Sequence, residues 1–258
     1  TGSSTGATGL SEVYEETFSE SIMKPFRHIQ AIAFDADDTL WDCQSYFERV
    51  ERAYCQLLAP WGTAEEISAR LFETESANMP LLGYGCKAFT LSLIENALKV
   101  SCGAVEPTVI REIQQLGYSL LKLPATPLPE VVTTLSTLRD DCGYLLAVFT
   151  KGELLDQENK LCRSGLRPFF DHVEIVSDKT PKAFRALCDH LDIRPSQLLM
   201  VGNSFKSDIA PALAVGASAV HIPFHVTWQL EHAEEFNHDR LVRISHFSQL
   251  LDCVGDNG

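Results

Sequence analysis

The sequence predicts an α/β protein: a doubly wound parallel sheet with an all-helical block inserted after its first strand. Two observations carry this expectation. Short apolar runs at 29–34, 144–149, 173–176, 198–201 and 219–222 each stop at polar residues and are separated by helical patterns. Strand alternating with helix gives a parallel sheet covered on both faces. The stretch 42–122, by contrast, holds no strand-like run and at least four helical patterns.

The first run, IQAIAF, has the continuous apolar character of a strand buried on both sides. After the insertion, 128–138 puts Val131, Val132, Leu135 and Leu138 on one helical face. A helix over 153–164 is stopped by Gly165, since glycine readily takes the left-handed conformation that ends a helix. The next, 181–191, opens on Pro181 and spaces Phe184, Leu187, Cys188 and Leu191 at helical intervals. Inside the insertion the stripes are Phe47, Val50, Tyr54, Leu57 and Leu58, then Phe89, Ile94, Ala97 and Leu98, then Val109, Ile110, Ile113, Leu116 and Leu120. Thr63 and Glu66 form a capping box that opens a further helix. The chain returns through Pro124, Pro127 and Pro129. The organisation expected is a flexible leader over 1–24, a sheet core over 25–41 and 123–258, and a helical cap over 42–122. Both ends of the cap lie beside the acidic end of the first strand, the position of a lid.

Composition narrows the partners. The 258 residues carry a formal charge of −14 with no basic block, which excludes a nucleic-acid polymer. No run is long enough to span a membrane and no signal-peptide pattern is present. Eight cysteines are scattered without a Cys-x-x-Cys pair, the usage of free thiols in a reducing cytoplasm. The cytoplasm is the expected location. A site for an anionic substrate in so acidic a chain must supply its own positive charge.

In doubly wound sheets ligands bind beyond the carboxyl ends of the strands. Those ends carry Asp35, Asp37, Asp38 and Thr39; then Thr150, Lys151 and Gly152; then Asp178, Lys179 and Thr180; then Gly202, Asn203, Ser204 and Asp208. Carboxylates, a hydroxyl, an amide and a lysine together suit a metal and a phosphate. A calcium loop starting at Asp35 is excluded, because its sixth and twelfth positions hold Leu40 and Tyr46.

The segments FDADDTLWD, VFTKG, SDKTPKAF and MVGNSFKSDIAPALAVG, in that order over 29–223, resemble the four motifs of the haloacid dehalogenase superfamily. The resemblance is to its phosphatase branch with a helical cap inserted after the first motif, on a Rossmann-like core. It implies a magnesium-dependent phosphatase of a small phosphorylated metabolite. Asp35 would be the nucleophile that forms an aspartyl-phosphate, and Asp37 the acid and then the base. Thr150, Lys179 and the amides of Lys151 and Gly152 would hold phosphate. Mg2+ would sit on Asp35, Asp37, Asn203 and Asp208.

Asn203 stands where the family usually has an acidic residue, so weaker magnesium binding is expected. Lys151 stands where asparagine is commoner. Lys182 is the rival to Lys179, although it falls inside the predicted helix. Two neighbouring carboxylates cannot both ionise freely, so a protonated Asp37 is expected with phosphate bound. For specificity the loop 79–87 offers Tyr84 and Lys87, whereas Trp41, Tyr46 and Phe47 read as core. His221, His225, His232 and His238 read as a surface loop, with His225 at the site mouth. Two alternatives stay open: a haloacid dehalogenase, disfavoured by Asp37, and a catalytically weak binding protein, suggested by Asn203.

Overall fold

A computed structural model of the protein describes residues 26–254. The leader expected over 1–24 lies outside the described residues. Six parallel strands form one sheet in the order β3-β2-β1-β4-β5-β6: β1 (Ala31–Phe34), β2 (Leu145–Lys151), β3 (His172–Val176), β4 (Leu198–Gly202), β5 (Ser218–His221) and β6 (Leu241–Arg243). In register, Phe34 stands between Val148 and Val201. The order reverses at β1, so the crevice beyond Phe34 is the switch point at which such sheets bind ligands.

Alternation along the central strands feeds two cores. Ile32 and Phe34 face one, with Val148, Val201 and Leu135 of α5 (Val131–Ser136) and Leu161 of α6 (Leu154–Arg163). Ala31 and Ala33 face the other, with Phe149, Met200, and Phe184 and Leu187 of α7 (Pro181–His190). Five strands stand where their apolar runs predict them. β6 does not, because its three residues, Leu-Val-Arg, give too short a run. Val132 is 45% exposed, so the predicted face on α5 is narrower than expected. Beyond α5 the helix widens into a π-type turn over Thr137–Asp141.

Four helices lie between β1 and α5: α1 (Gln44–Leu57), α2 (Ala64–Leu82), α3 (Cys86–Val100) and α4 (Pro107–Leu120). They enclose their own core around Tyr54, Leu58, Ile67, Leu71, Leu93 and Ile113. The Tyr54 hydroxyl donates to the Leu93 carbonyl at 3.0 Å and accepts from Asn96 Nδ2 at 2.8 Å, which satisfies the hydroxyl, while the buried Asn96 Oδ1 has no partner among the described residues. The capping box is present, with the Thr63 hydroxyl accepting from the Glu66 amide. Leu98 is 45% exposed, a departure from the predicted α3 stripe. The two chain crossings between the blocks pair with each other, through a bridge between Trp41 and Pro127 and a hydrogen bond from the Leu128 amide to the Leu40 carbonyl at 2.9 Å.

Where α3 crosses α4, Gly117 faces Thr90 so closely that an added Cβ would lie 2.0 Å from Oγ1 and 2.5 Å from Cγ2. Gly117→Ala must therefore separate the helices, and a loss of about 1–3 kcal/mol is expected, the usual cost of overpacking. Urea denaturation of the variant measures it. A loss within ~0.5 kcal/mol, the range of surface substitutions, would show that the crossing is slack.

Candidate functional site

Asp35 is the first residue past β1. Its amide donates to the Val201 carbonyl at 2.9 Å, which extends the strand ladder by one residue and fixes the carboxylate at the switch point. The side chain is almost fully buried. One oxygen meets Lys179 Nζ and the other accepts from Thr39 Oγ1 at 3.3 Å. Lys179, 3% exposed, also donates to Asp208 Oδ1 at 2.6 Å, so one ammonium joins two carboxylates. Lys182 is exposed on α7 and takes no part.

Asp208 is completely buried, and its other oxygen accepts from the Ser204 amide at 2.9 Å. It fits there because residue 202 has no side chain. A Cβ on Gly202 would fall 2.2 Å from Asp208 Oδ2. Asn203 faces the same space, with Oδ1 3.3 Å from the Thr39 hydroxyl, while its carbonyl meets His221 Nε2 at 3.0 Å. Thr39 thus spans Asp35 and Asn203.

Asp37 lies in the same cavity, but on different partners. Trp41 Nε1 donates to it at 2.7 Å, Gln157 Nε2 at 2.9 Å, and Lys160 Nζ reaches both carboxylate oxygens at 2.8 and 2.7 Å. Burial works against the charge on Asp37, yet Lys160 and these donors hold its carboxyl below the usual range. Asp35 shows the opposite balance. Burial outweighs the attraction of Lys179, and Asp208 and Asp37 add repulsion, so its carboxyl is pushed up to about 7. The protonated Asp37 expected with phosphate is a matter for the bound state; in the structure the raised carboxyl is Asp35, because Lys160 neutralises Asp37. Asp38 has a turn-forming role: at φ 62° it accepts the amides of Cys43 and Gln44, both at 2.8 Å, and so starts α1.

Thr150 is buried at the end of β2, 3.4 Å from Gln157 Nε2. The Gly152 amide donates to the Val176 carbonyl at 3.0 Å and is spent in the sheet, contrary to the expectation that it holds phosphate. The helix also starts later than expected, at Leu154 after an N-cap at Glu153. Lys151 turns toward the mouth. Its Nζ donates to Ser207 Oγ at 2.7 Å, pairs with Glu231 and lies 4.0 Å above the Tyr84 ring. Glu231 also accepts from Ser204 and Ser207, each at 2.6 Å. Burial opposes its charge, and Lys151 with the two hydroxyls outweighs that and keeps it ionised.

The predicted loop 79–87 is shorter than expected, because α2 runs to Leu82 and α3 begins at Cys86. Tyr84 remains in it and packs edge-on against Trp228 at 5.9 Å, closing the mouth between the cap and the segment after β5. Lys87 instead pairs with Glu153 at 3.1 Å on the outside. His221 is a buried strand residue and not part of a surface loop, whereas His225 is exposed and meets Ser45 at 3.3 Å. Trp41 is core, as predicted.

The cavity bounded by these groups has a volume of about 180 Å³ and runs from Asp35 into the inserted helices, where Glu51, Glu75 and Asn78 line it. That is room for about a dozen water-sized positions at ~15 Å³ each. Burial and the neighbouring Glu51 push the Glu75 carboxyl up to about 8, so this far end offers a neutral acid and an amide. Gln157, Lys160, Trp228 and Glu231 went unpredicted, as did Glu51, Glu75 and Asn78 at the far end. For the first two a signal exists. Asp156, Gln157 and Lys160 occupy one buried face of α6 and mark a polar stripe where apolar residues would stand.

A paired set of strand-tip carboxylates around one buried ammonium, roofed by an inserted helical block, defines a hydrolase built for an anionic ester. The chain belongs to the haloacid dehalogenase-like hydrolases, whose family model matches residues 29–216. It is 28% identical over 238 residues to a glyceraldehyde 3-phosphate phosphatase of Methanothermobacter thermautotrophicus, covering 88% of this chain and 100% of that protein. To the protein of the same name from Pyrococcus furiosus it is 26% identical over 246 residues, covering 88% and 94%. A crystal structure of a haloacid dehalogenase-like family hydrolase from Xanthomonas campestris superposes with a TM-score of 0.78 at 29% identity, over 88% of this chain and 93% of that one. The family model makes the chain a hydrolase, and the relatives named here are phosphatases. Among the described residues no helix is long and apolar enough to cross a membrane.

Proposed function

We propose that the chain hydrolyses small hydroxylated phosphate esters of triose size, using magnesium and an aspartyl-phosphate intermediate, beneath a cap formed by 42–122. The observation that carries this is the Asp35–Lys179–Asp208 cluster opening into the same cavity as Asp37. The polar far end of that cavity suits hydroxyl-bearing substrates, and the names of the relatives point to a triose phosphate.

In the first step an Asp35 oxygen bonds to phosphorus as the ester P–O bond breaks, and Asp37 gives its proton to the departing oxygen. Asp37 is ionised in the free protein. A phosphate dianion beside it raises its proton affinity, against the pull of Lys160. In the second step Asp37 takes a proton from water, which attacks phosphorus and frees Asp35 and inorganic phosphate. Lys179 and Thr150 hold the phosphoryl oxygens. The oxygens of Asp35, Asn203 and Asp208, gathered around Thr39 and Lys179, are the hard donors that magnesium selects. When bound, the ion would offset the negative charge of the phosphate. The cluster lacks one carboxylate at Asn203, and Lys179 already occupies part of Asp208, so modest affinity is the expectation.

The test is release of phosphate from glyceraldehyde 3-phosphate and from an aryl phosphate, each with and without magnesium, beside chloride release from a haloacid. Chloride release without phosphate release would sink the proposal in favour of a dehalogenase. Silence in all arms would favour a binding protein. A second measurement isolates Asp37. Asp37→Asn is expected to slow the triose ester by about 10²–10⁴-fold, the usual worth of a general acid, and the aryl ester far less, since its leaving group needs little protonation. Equal losses would reduce Asp37 to a structural role.

A further inference from the structure

Three side chains converge on the outer edge of the sheet, remote from the strand tips. His172 opens the edge strand β3, and Glu174 follows two residues later, so alternation turns both to one face. His190 ends α7, which runs back along β3 from the loop carrying Lys179. His172 Nε2 lies 3.0 Å and His190 Nδ1 2.8 Å from the same oxygen of Glu174. One ligand atom from each residue falls within 4.8 Å of the other two.

We propose that His172, Glu174 and His190 bind a divalent transition metal of the zinc class. Two imidazole nitrogens and a carboxylate are a donor set that zinc accepts readily, whereas magnesium prefers oxygen alone. This separates the cluster from the oxygen-rich site at Asp35. Glu174 is sheltered at 14% side-chain exposure, while His172 and His190 are open at 32% and 58%, leaving room for the ion and for water as a fourth ligand. Before the ion arrives, hydrogen bonds from the rings to one Glu174 oxygen hold both imidazoles in place. To bind the ion, the ring nitrogen that faces Glu174 must offer its lone pair, and each neutral ring then carries its single proton on the other nitrogen. The ion would join the start of β3 to the end of α7. That closes the strand–helix unit that presents Lys179, at the end away from the reaction.

The experiment titrates zinc chloride calorimetrically into chelator-stripped full chain with magnesium in excess. One zinc per chain is expected. His190→Ala and Glu174→Gln should each weaken binding by about 10-fold or more, at least what losing an outer-shell partner costs a metal site. Zinc should raise the melting temperature of the parent by a few degrees, the scale of ligand linkage, and not that of the variants, with phosphatase activity equal in all three. His172→Gln provides a third variant if circular dichroism shows either of the others misfolded. No zinc uptake by the parent would overturn the proposal and leave the cluster a hydrogen-bonded network. Unchanged uptake in the variants would also overturn it, placing the ion elsewhere, for example on the exposed thiols Cys102 and Cys162.

Discussion

Asp35→Asn is expected to abolish turnover while raising the melting temperature in neutral and alkaline buffer. The loss in kcat should be on the order of 10⁴ to 10⁶, the scale on which a covalent nucleophile is missed. The gain in stability follows from charge. The Asp35 carboxyl titrates at about 7 in the folded chain, above the ordinary value of 3.8, because burial outweighs the help of Lys179 and because Asp208 and Asp37 repel it. A raised folded value makes a stabilising contribution that is complete below the unfolded value and disappears as pH rises through 7. Above that pH the parent protein holds a buried carboxylate that its surroundings disfavour. Asparagine is nearly the same shape and carries no charge. Melting curves of metal-free protein at about pH 5 and about pH 8, on either side of the folded value, should show the variant's advantage growing with pH. A variant less stable at both would mean that Asp35 is needed to anchor Lys179.

The second large effect is expected from Lys179→Met. Its side chain is 1% exposed between two carboxylates. Burial alone would depress its pKa, but Asp208 and Asp35 overcome that and raise it, so the ammonium is permanently charged. Removing it leaves two buried carboxylates facing each other without a cation. Breaking a buried ion pair from one side costs about 3–5 kcal/mol, which urea denaturation will register. kcat should fall by about 10²–10³, the scale of losing one preorganised electrostatic donor. The double variant Lys179→Met/Asp35→Asn should regain part of the lost stability, since one of the stranded charges is gone. Lys182→Met is the control and should stay within ~0.5 kcal/mol of the parent. Loss at Lys182 with none at Lys179 would reverse the assignment of the lysine.

The parts of this structure that could be read from the sequence are those that local pattern determines. The apolar runs before Asp35, Thr150, Asp178 and Asn203 mark strands, buried in β1, β2 and β4 and half-buried in the edge strand β3, and the polar residues after each run must lie at a strand tip. Thr63 and Glu66 announce a helix start through chemistry only three residues long. Contacts set by distant packing were not legible. Lys160 meets Asp37 across 123 residues of sequence, and Glu231 reaches Lys151 across 80. Neither partner carries a mark of the other. β6 is too short to show a period, and it forms because β5 offers it an edge. Val132 and Leu98 show the limit of stripe reading: at the margin of an apolar face, the neighbouring helix decides whether a residue is covered. Gly152 failed as a phosphate donor for a related reason, since its amide was claimed by the adjacent strand.

The hydrogen bond from Trp41 to Asp37 gives the protein an optical reporter of its own chemistry. Indole emission shifts when the charge beside its N–H changes, and Trp41 donates to a carboxylate that must gain and lose a proton in every cycle of the proposed reaction. Its ring is fully buried, so solvent quenchers do not reach it. The other two tryptophans, Trp61 in the cap and Trp228 at the mouth, can be replaced by phenylalanine to leave Trp41 as the sole emitter. In that background, stopped-flow fluorescence would follow the protonation of Asp37 in real time, with no label and no coupled assay.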